Sequence, residues 1–293
     1  HTTANNNTGV GNLVMLKTTS GAQNTAMGGY ALICNTTSAE NTAIGYASLY
    51  GNTGGCNTAL GSRTLCCNTC GASNVAIGYN TLSTSVTAAS NVGVGDHALF
   101  KTNAPDNTGV GRDALRCNRA GEHNTAVGRC ALYCNKNGGG NAALGLCALY
   151  NVFSCNNVGV GKNAGACMTT GCLNTAVGPS ALMGYNTQVT GNDNVGVGYF
   201  AGGRISCGTG NVAVGARTMC NLSTSSYNTA VGYCSQLTRS TGAYNTTLGA
   251  MSLCCDSSGS CNTVIGYSAG RCDQSACLVT FVGMNAGLNN TAN

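Results

Sequence analysis

An Asn-Thr-Ala-Val-Gly unit and its close variants recur along the whole 293-residue chain. Aligned on the last residue of the unit, they give Gly11, Gly28, Gly45, Gly61, Gly78, Gly95, Gly111, Gly128, Gly145, Gly161, Gly178, Gly198, Gly215, Gly232, Gly249, Gly266 and Gly283. The spacing is 16 or 17 residues, except for 20 between Gly178 and Gly198. Self-similarity at a short fixed period is the mark of stacked units, each unable to bury its apolar surface alone. It predicts one repeat array over residues 1–293.

Positions are counted from the asparagine four residues before each glycine. That column is Asn7, Asn24, Asn41, Asn57, Asn74, Asn91, Asn107, Asn124, Asn141, Asn157, Asn174, Asn194, Asn211, Asn228, Asn245 and Asn262, with Val279 in the seventeenth copy. Position +1 is Thr in eleven copies and Val in the others except Ala142. Position +2 is Gly or Ala until Thr247, Val264 and Phe281, and +3 is always aliphatic or Met. Position +7 is mostly small (Ala31, Ser48, Ala98, Ala131) and +8 is usually leucine (Leu32, Leu49, Leu99, Leu132).

Alternation with period two over 0 to +3 reads as a short strand. Positions +1 and +3 then share a face, assigned to the interior, and the tiny +2 column faces out, where a neighbouring backbone could approach it. The stripe turning bulky in the last three copies suggests that this contact ends or changes there. A second strand around +7 to +10 would return Leu at +8 to the core. The invariant Gly at +4 suits a sharp turn with positive φ. About seventeen residues is too short for a helix-containing repeat, and β-branched residues favour strands. The expected fold is all-β, a parallel β-solenoid or β-roll of about 17 coils of 16–17 residues. Stacked at one strand separation, the Asn amides can hydrogen-bond from coil to coil as a ladder; the other reading is that Asn only suits the turn before the strand.

Asn41 to Leu49, Asn-Thr-Ala-Ile-Gly-Tyr-Ala-Ser-Leu, and the Asn-Thr-Ala-Val-Gly units at Asn124, Asn174 and Asn228 resemble head-domain repeats of trimeric autotransporter adhesins. Similar repeats occur in phage and giant-virus fibres. The resemblance covers essentially the whole chain. It implies a left-handed parallel β-roll, frequently trimeric, with a role in attachment.

Twenty cysteines point to disulfides in an oxidising compartment. Zinc is disfavoured, because Cys67-Asn68-Thr69-Cys70 has no second pair at finger spacing and His1, His97 and His123 lie elsewhere. Equivalent positions in adjacent coils fall about 4.8 Å apart, inside the disulfide window. Cys117–Cys134 and Cys255–Cys272 share +10, Cys130–Cys147 share +6, and Cys155–Cys172 both precede the next Asn by two residues. Cys261–Cys277, one position out of register, is a fifth candidate. The other ten cysteines stay unassigned.

Little in the chain suggests chemistry. Charged residues make up only 7%, and the net charge of +5 forms no basic stripe for nucleic acid. No apolar run approaches a membrane span, no signal peptide is visible, and no cofactor or metal motif appears. The eight acids are Glu40, Asp96, Asp106, Asp113, Glu122, Asp193, Asp256 and Asp273. His97 with Asp113, and Asp106 with His123, fall at matching positions of neighbouring coils, and a surface ion pair outweighs an acid/base patch as their reading. The +1 threonines are placed inside by parity, which argues against an ice-binding array. Sequons occur at Asn6, Asn35, Asn221, Asn245 and Asn289; Asn245 belongs to the Asn column, leaving Asn6, Asn35, Asn221 and Asn289 as glycan candidates.

The expected role is that of an extracellular structural fibre subunit, not an enzyme, on a secreted, cell-surface or virion-surface assembly. Its partners would be copies of itself, stacked head to tail or as a trimer. The alternative is an attachment module for a cell-surface glycan or receptor, with Tyr30, Tyr46, Tyr79, Tyr133 and Tyr150 as contacts.

Overall fold

The computed structural model describes residues 4–185, 188–238, 241–255, 258–272, 275 and 277–289. It is all-β: seventeen three-residue strands stack in parallel as a β-solenoid of about 16 turns, with no helix among the described residues. The chain divides into two compact units, 1–143 and 144–293, and the repeat runs through both.

The first unit holds β1 (Thr8–Val10), β2 (Thr25–Met27), β3 (Thr42–Ile44), β4 (Thr58–Leu60), β5 (Val75–Ile77), β6 (Val92–Val94), β7 (Thr108–Val110) and β8 (Thr125–Val127), and β9 (Ala142–Leu144) lies at the division. The second holds β10 (Val158–Val160), β11 (Thr175–Val177), β12 (Val195–Val197), β13 (Val212–Val214), β14 (Thr229–Val231), β15 (Thr246–Leu248), β16 (Thr263–Ile265) and β17 (Thr280–Val282). Register within each unit places like on like: Thr25 pairs with Thr42, Ala26 with Ala43 and Met27 with Ile44. The longer coil between Gly178 and Gly198 keeps it, with Thr175 opposite Val195.

The inside and outside of the strand are the reverse of the alternation reading. From Ala26 onward every strand centre of the Gly/Ala type is buried, as at Ala43, Ala59, Ala76, Ala126, Ala176 and Ala213, all at 0% exposure, whereas Gly9 in β1 is exposed. The +1 and +3 side chains lie outside or half-buried, as at Thr58 and Leu60 on either side of Ala59. The reason is crowding. Leu at +8 packs directly beneath the strand, and a Cβ added at Gly93 would come 3.5 Å from the δ-carbons of Leu82 and Leu99. One at Gly159 would sit 2.7 Å from Leu149 Cγ. Smallness at +2 thus records a full core, not an open approach from outside.

The expected second strand is absent among the described residues. After the +4 glycine the chain takes left-handed turns, with φ near +50° at both +6 and +8. Leu32, Leu82, Leu99 and Leu149 have φ between 49° and 53°. A left-handed residue bearing a side chain costs about 1–2 kcal/mol, whereas burying a leucine gains about 1.5–3 kcal/mol. Burial wins, helped by coil-to-coil hydrogen bonds that continue through the turns. The Leu32 N–H donates to the Ser48 carbonyl at 3.1 Å, and the Ala47 N–H to the Gly29 carbonyl at 2.9 Å.

At +4 the glycine is obligatory on two counts. Its φ lies between 120° and 138° in every copy. A Cβ at Gly95 would stand 2.7 Å from the carbonyl of Gly111 in the next coil.

Volume is traded within the interior. Where +8 is glycine, another position fills the space: Met168 beside Gly165 and Ile205 beside Gly202, both at +11. In the last coils the filler is +2 itself, with Val264 above Gly270 and the Phe281 ring against Gly287. Leu253, Val264 and Ala269 form an apolar cluster that Phe281 joins. The bulky final +2 residues are therefore a repacked core and mark no change in an outer contact.

Candidate functional site

The polar interior is built first by the position-0 asparagines, buried at 0–1% exposure from Asn24 onward. In the first unit the Asn24 Oδ1 accepts from the backbone N–H of Asn41 at 3.0 Å and from its Nδ2 at 3.2 Å. Asn124 repeats this with Asn107 (3.0 and 3.1 Å). In the second unit Asn211 does so with Asn194, both at 3.0 Å, and the Val279 N–H donates to Asn262 Oδ1.

Each amide has a further partner that the sequence reading missed. Asn24, Asn57, Asn124 and Asn194 donate through Nδ2 to the carbonyls of Ser38, Gly71, Gly138 and Gly208, three residues before an asparagine of the column. That carbonyl also serves a second buried asparagine row at +11, formed by Asn35, Asn52, Asn68, Asn118 and Asn135. Asn68 donates to Gly71 and Asn135 to Gly138, each at 2.7 Å. Small residues at the carbonyl position follow from packing, since a Cβ at Gly71 would lie 2.0 Å from the Ala88 oxygen. The recurrence of Asn eleven residues after the first Asn was the available signal.

The second row removes one glycan candidate. Asn35 is fully buried and its Nδ2 donates to the Ser38 carbonyl at 3.0 Å, so no glycan can reach it in the folded chain. Asn245 is likewise buried. Asn6 and Asn289 are exposed and Asn221 is half-buried.

Outside the sheet, +1 and +3 form two rows, of Thr/Val with Ala142 and of Val/Ile/Leu/Met, without a charged residue. Met27 is 50% exposed, Leu60 44% and Ile77 36%. The ground for setting the threonines aside is therefore overturned: Thr8, Thr25, Thr58 and Thr125 are exposed. Valines interrupt their row and Met27, Leu60 and Leu248 roughen its neighbour.

All twenty cysteines carry free thiols, so the five expected pairs are not disulfides in this structure. Register still brings Cys117 and Cys134 into hydrogen-bonding contact, and the Cys134 thiol is pushed up by burial and then by Cys117. Cys254 is buried, and its thiol is pushed up to about 12 by burial first and by Cys255 second. No group of three or more His, Cys, Asp or Glu among the described residues could hold a metal. No helix is long and apolar enough to cross a membrane.

The charged cluster divides differently from its register. His97 Nδ1 pairs with Asp96, its chain neighbour, not with Asp113. Asp113 is buried to 7% exposure and held by Arg112 Nε at 3.3 Å and Arg116 Nη1 at 3.1 Å. His123 and Asp106 form an exposed pair at 3.8 Å. Asp256 and Asp273 lie outside the described residues. Of the tyrosines, Tyr46 and Tyr79 are exposed, Tyr30, Tyr133 and Tyr150 half-buried, and Tyr30 meets Tyr46 edge to face at 5.7 Å.

No protein-family model, curated protein or solved structure matches the chain.

Proposed function

We propose that the chain is a subunit of an extracellular structural fibre that self-assembles through its outward Thr/Val face. The observation that carries this is the uncharged apolar face itself. Contiguous exposed apolar surface on this pattern is uncommon on a protein that works alone. A second copy offers the same rows at the same strand spacing, so side chains of two faces can interdigitate in register along their length, as in stacked sheets. The polar groups of the coil are turned inward and bonded coil to coil, which leaves this face little to lose on drying.

The cysteines supply the second part. Their number fits an oxidising surrounding, and contact between register neighbours such as Cys117 and Cys134 lets oxidation join them with little backbone movement. Each such bond closes a loop of about one coil, adding about 3 kcal/mol in the chain-entropy account.

Sedimentation velocity and electron microscopy of oxidised protein test the reading. Assemblies that fall apart on Ile77→Lys with Val94→Lys are expected. Monomeric wild type at micromolar concentration overturns it. Non-reducing peptide mapping should recover Cys117 joined to Cys134.

The second reading is an attachment module for a glycan or receptor. Exposed Tyr46 and Tyr79, with Tyr30 against Tyr46, favour it, because aromatic rims suit sugar and protein contacts.

A further inference from the structure

In the second unit a surface pocket of about 370 Å³ is lined by Tyr199, Phe200, Arg204, Arg217, Cys220 and Asn221, among others. It falls in the size range of small-ligand sites, about 300–1,000 Å³. Two guanidiniums share it, and neither has a carboxylate partner among the described residues, whereas Arg112 and Arg116 in the first unit both hold Asp113. The Nε of Arg204 is buried without a hydrogen-bond partner among the described residues. A desolvated donor on a cation is costly to leave unmet.

The rest of the side chain is held. The Arg204 guanidinium lies 5.4 Å from the centre of the Tyr185 ring, and Tyr185 in turn meets Phe200 edge to face at 6.2 Å. Arg217 comes from the next coil and is exposed. Both guanidiniums are near enough to the Cys220 thiol to pull it down against burial and Cys234, which push it up. Two positive forks thus converge on one small volume beside two aromatic rings and an amide.

We propose that this pocket binds an acidic sugar residue, with Arg204 and Arg217 on its carboxylate and the Tyr199 or Phe200 ring against its apolar face. A planar fork matches a carboxylate through two parallel hydrogen bonds, which an ammonium cannot reproduce. The Asn221 amide is placed to meet a ring hydroxyl. The assembly test changes Ile77 and Val94 in the first unit and the ligand test changes residues of the second, so the two readings can fail separately.

Calorimetric titration with a glucuronate-containing hexasaccharide, its carboxyl-reduced form and inorganic sulfate tests the site. Wild type should bind the acidic sugar and not the reduced one. Arg217→Gln and Arg204→Lys should each weaken binding at least tenfold with an unchanged thermal midpoint, while Arg271→Gln, an exposed arginine elsewhere in the unit, leaves it intact. Equal weakening by Arg271→Gln overturns the proposal, because general charge then suffices. So does equal binding of the reduced sugar, competition by sulfate at equimolar concentration, or no binding by wild type at millimolar ligand.

Discussion

The left-handed residues are where this chain is most exposed to single substitutions. Gly95 combines a φ of 132° with a neighbouring backbone that leaves no room for a Cβ. Gly95→Ala should lower stability by about 3 kcal/mol or more, read as a shift in the urea midpoint, because strain and a backbone clash add. A shift below about 1 kcal/mol would mean that the coils can separate to admit a methyl. Asn124 presents a different dependence. Its carboxamide closes bonds to Asn107, Asn141 and Gly138. Asn124→Ala should cost about 3 kcal/mol, since each buried polar group left unmet costs about 1–3 kcal/mol. Had the asparagine served only the turn before the strand, the cost would fall under about 1 kcal/mol.

At the scale of one coil, volume is conserved between positions that the chain separates by three to six residues. Met168 stands where the coils of Leu32, Leu82, Leu99 and Leu132 carry Asn35, Ser85, Thr102 and Asn135, and Gly165 stands where they carry leucine, although the coil of Leu149 carries Val152. Met168→Asn should cost about 2–5 kcal/mol through its cavity, and Gly165→Leu about 1–3 kcal/mol through overpacking. The double variant rebuilds the majority pattern and should recover at least 1 kcal/mol relative to the sum. Additive losses would show that the two sites do not share space. The same coupling explains what the alternation could not reveal. Period two separates +2 from +1 and +3 but does not say which side is inside. The decision rests with Leu at +8, six residues beyond +2 along the chain and invisible to a strand template. The turn after +4 was misread as a strand for a related reason: leucine is expected at negative φ, and nothing local announces that stacking will hold it at +50°.

For the molecule as a whole, the repeat itself, the parallel stack and the glycine turn were legible because identical spacing leaves few other folds. The second asparagine row and the carbonyl it meets were not, because they depend on one residue type facing another across the interior. Thiols also set the chain's response to alkali. Cys254 ionises at about 12 folded against an ordinary value of 9. Its raised value favours the folded state below pH 9, and that contribution is lost as pH rises from 9 through 12. Under reducing conditions the urea midpoint should fall over that window, and less steeply in Cys254→Ala than in wild type. Equal slopes would place the alkaline loss in tyrosines and lysines.

The trading of volume within a coil also bears on heredity. Because +2, +8 and +11 balance inside one coil or against its immediate neighbour, most junctions are interchangeable. Unequal recombination between the gene's repeated segments can then add or delete a whole coil, for example Asn107 to His123, with leucine still meeting leucine at +8 as Leu99 comes to lie beside Leu132. The number of coils becomes a quantity that selection can adjust in single genetic events, while the residues within each coil stay bound by packing.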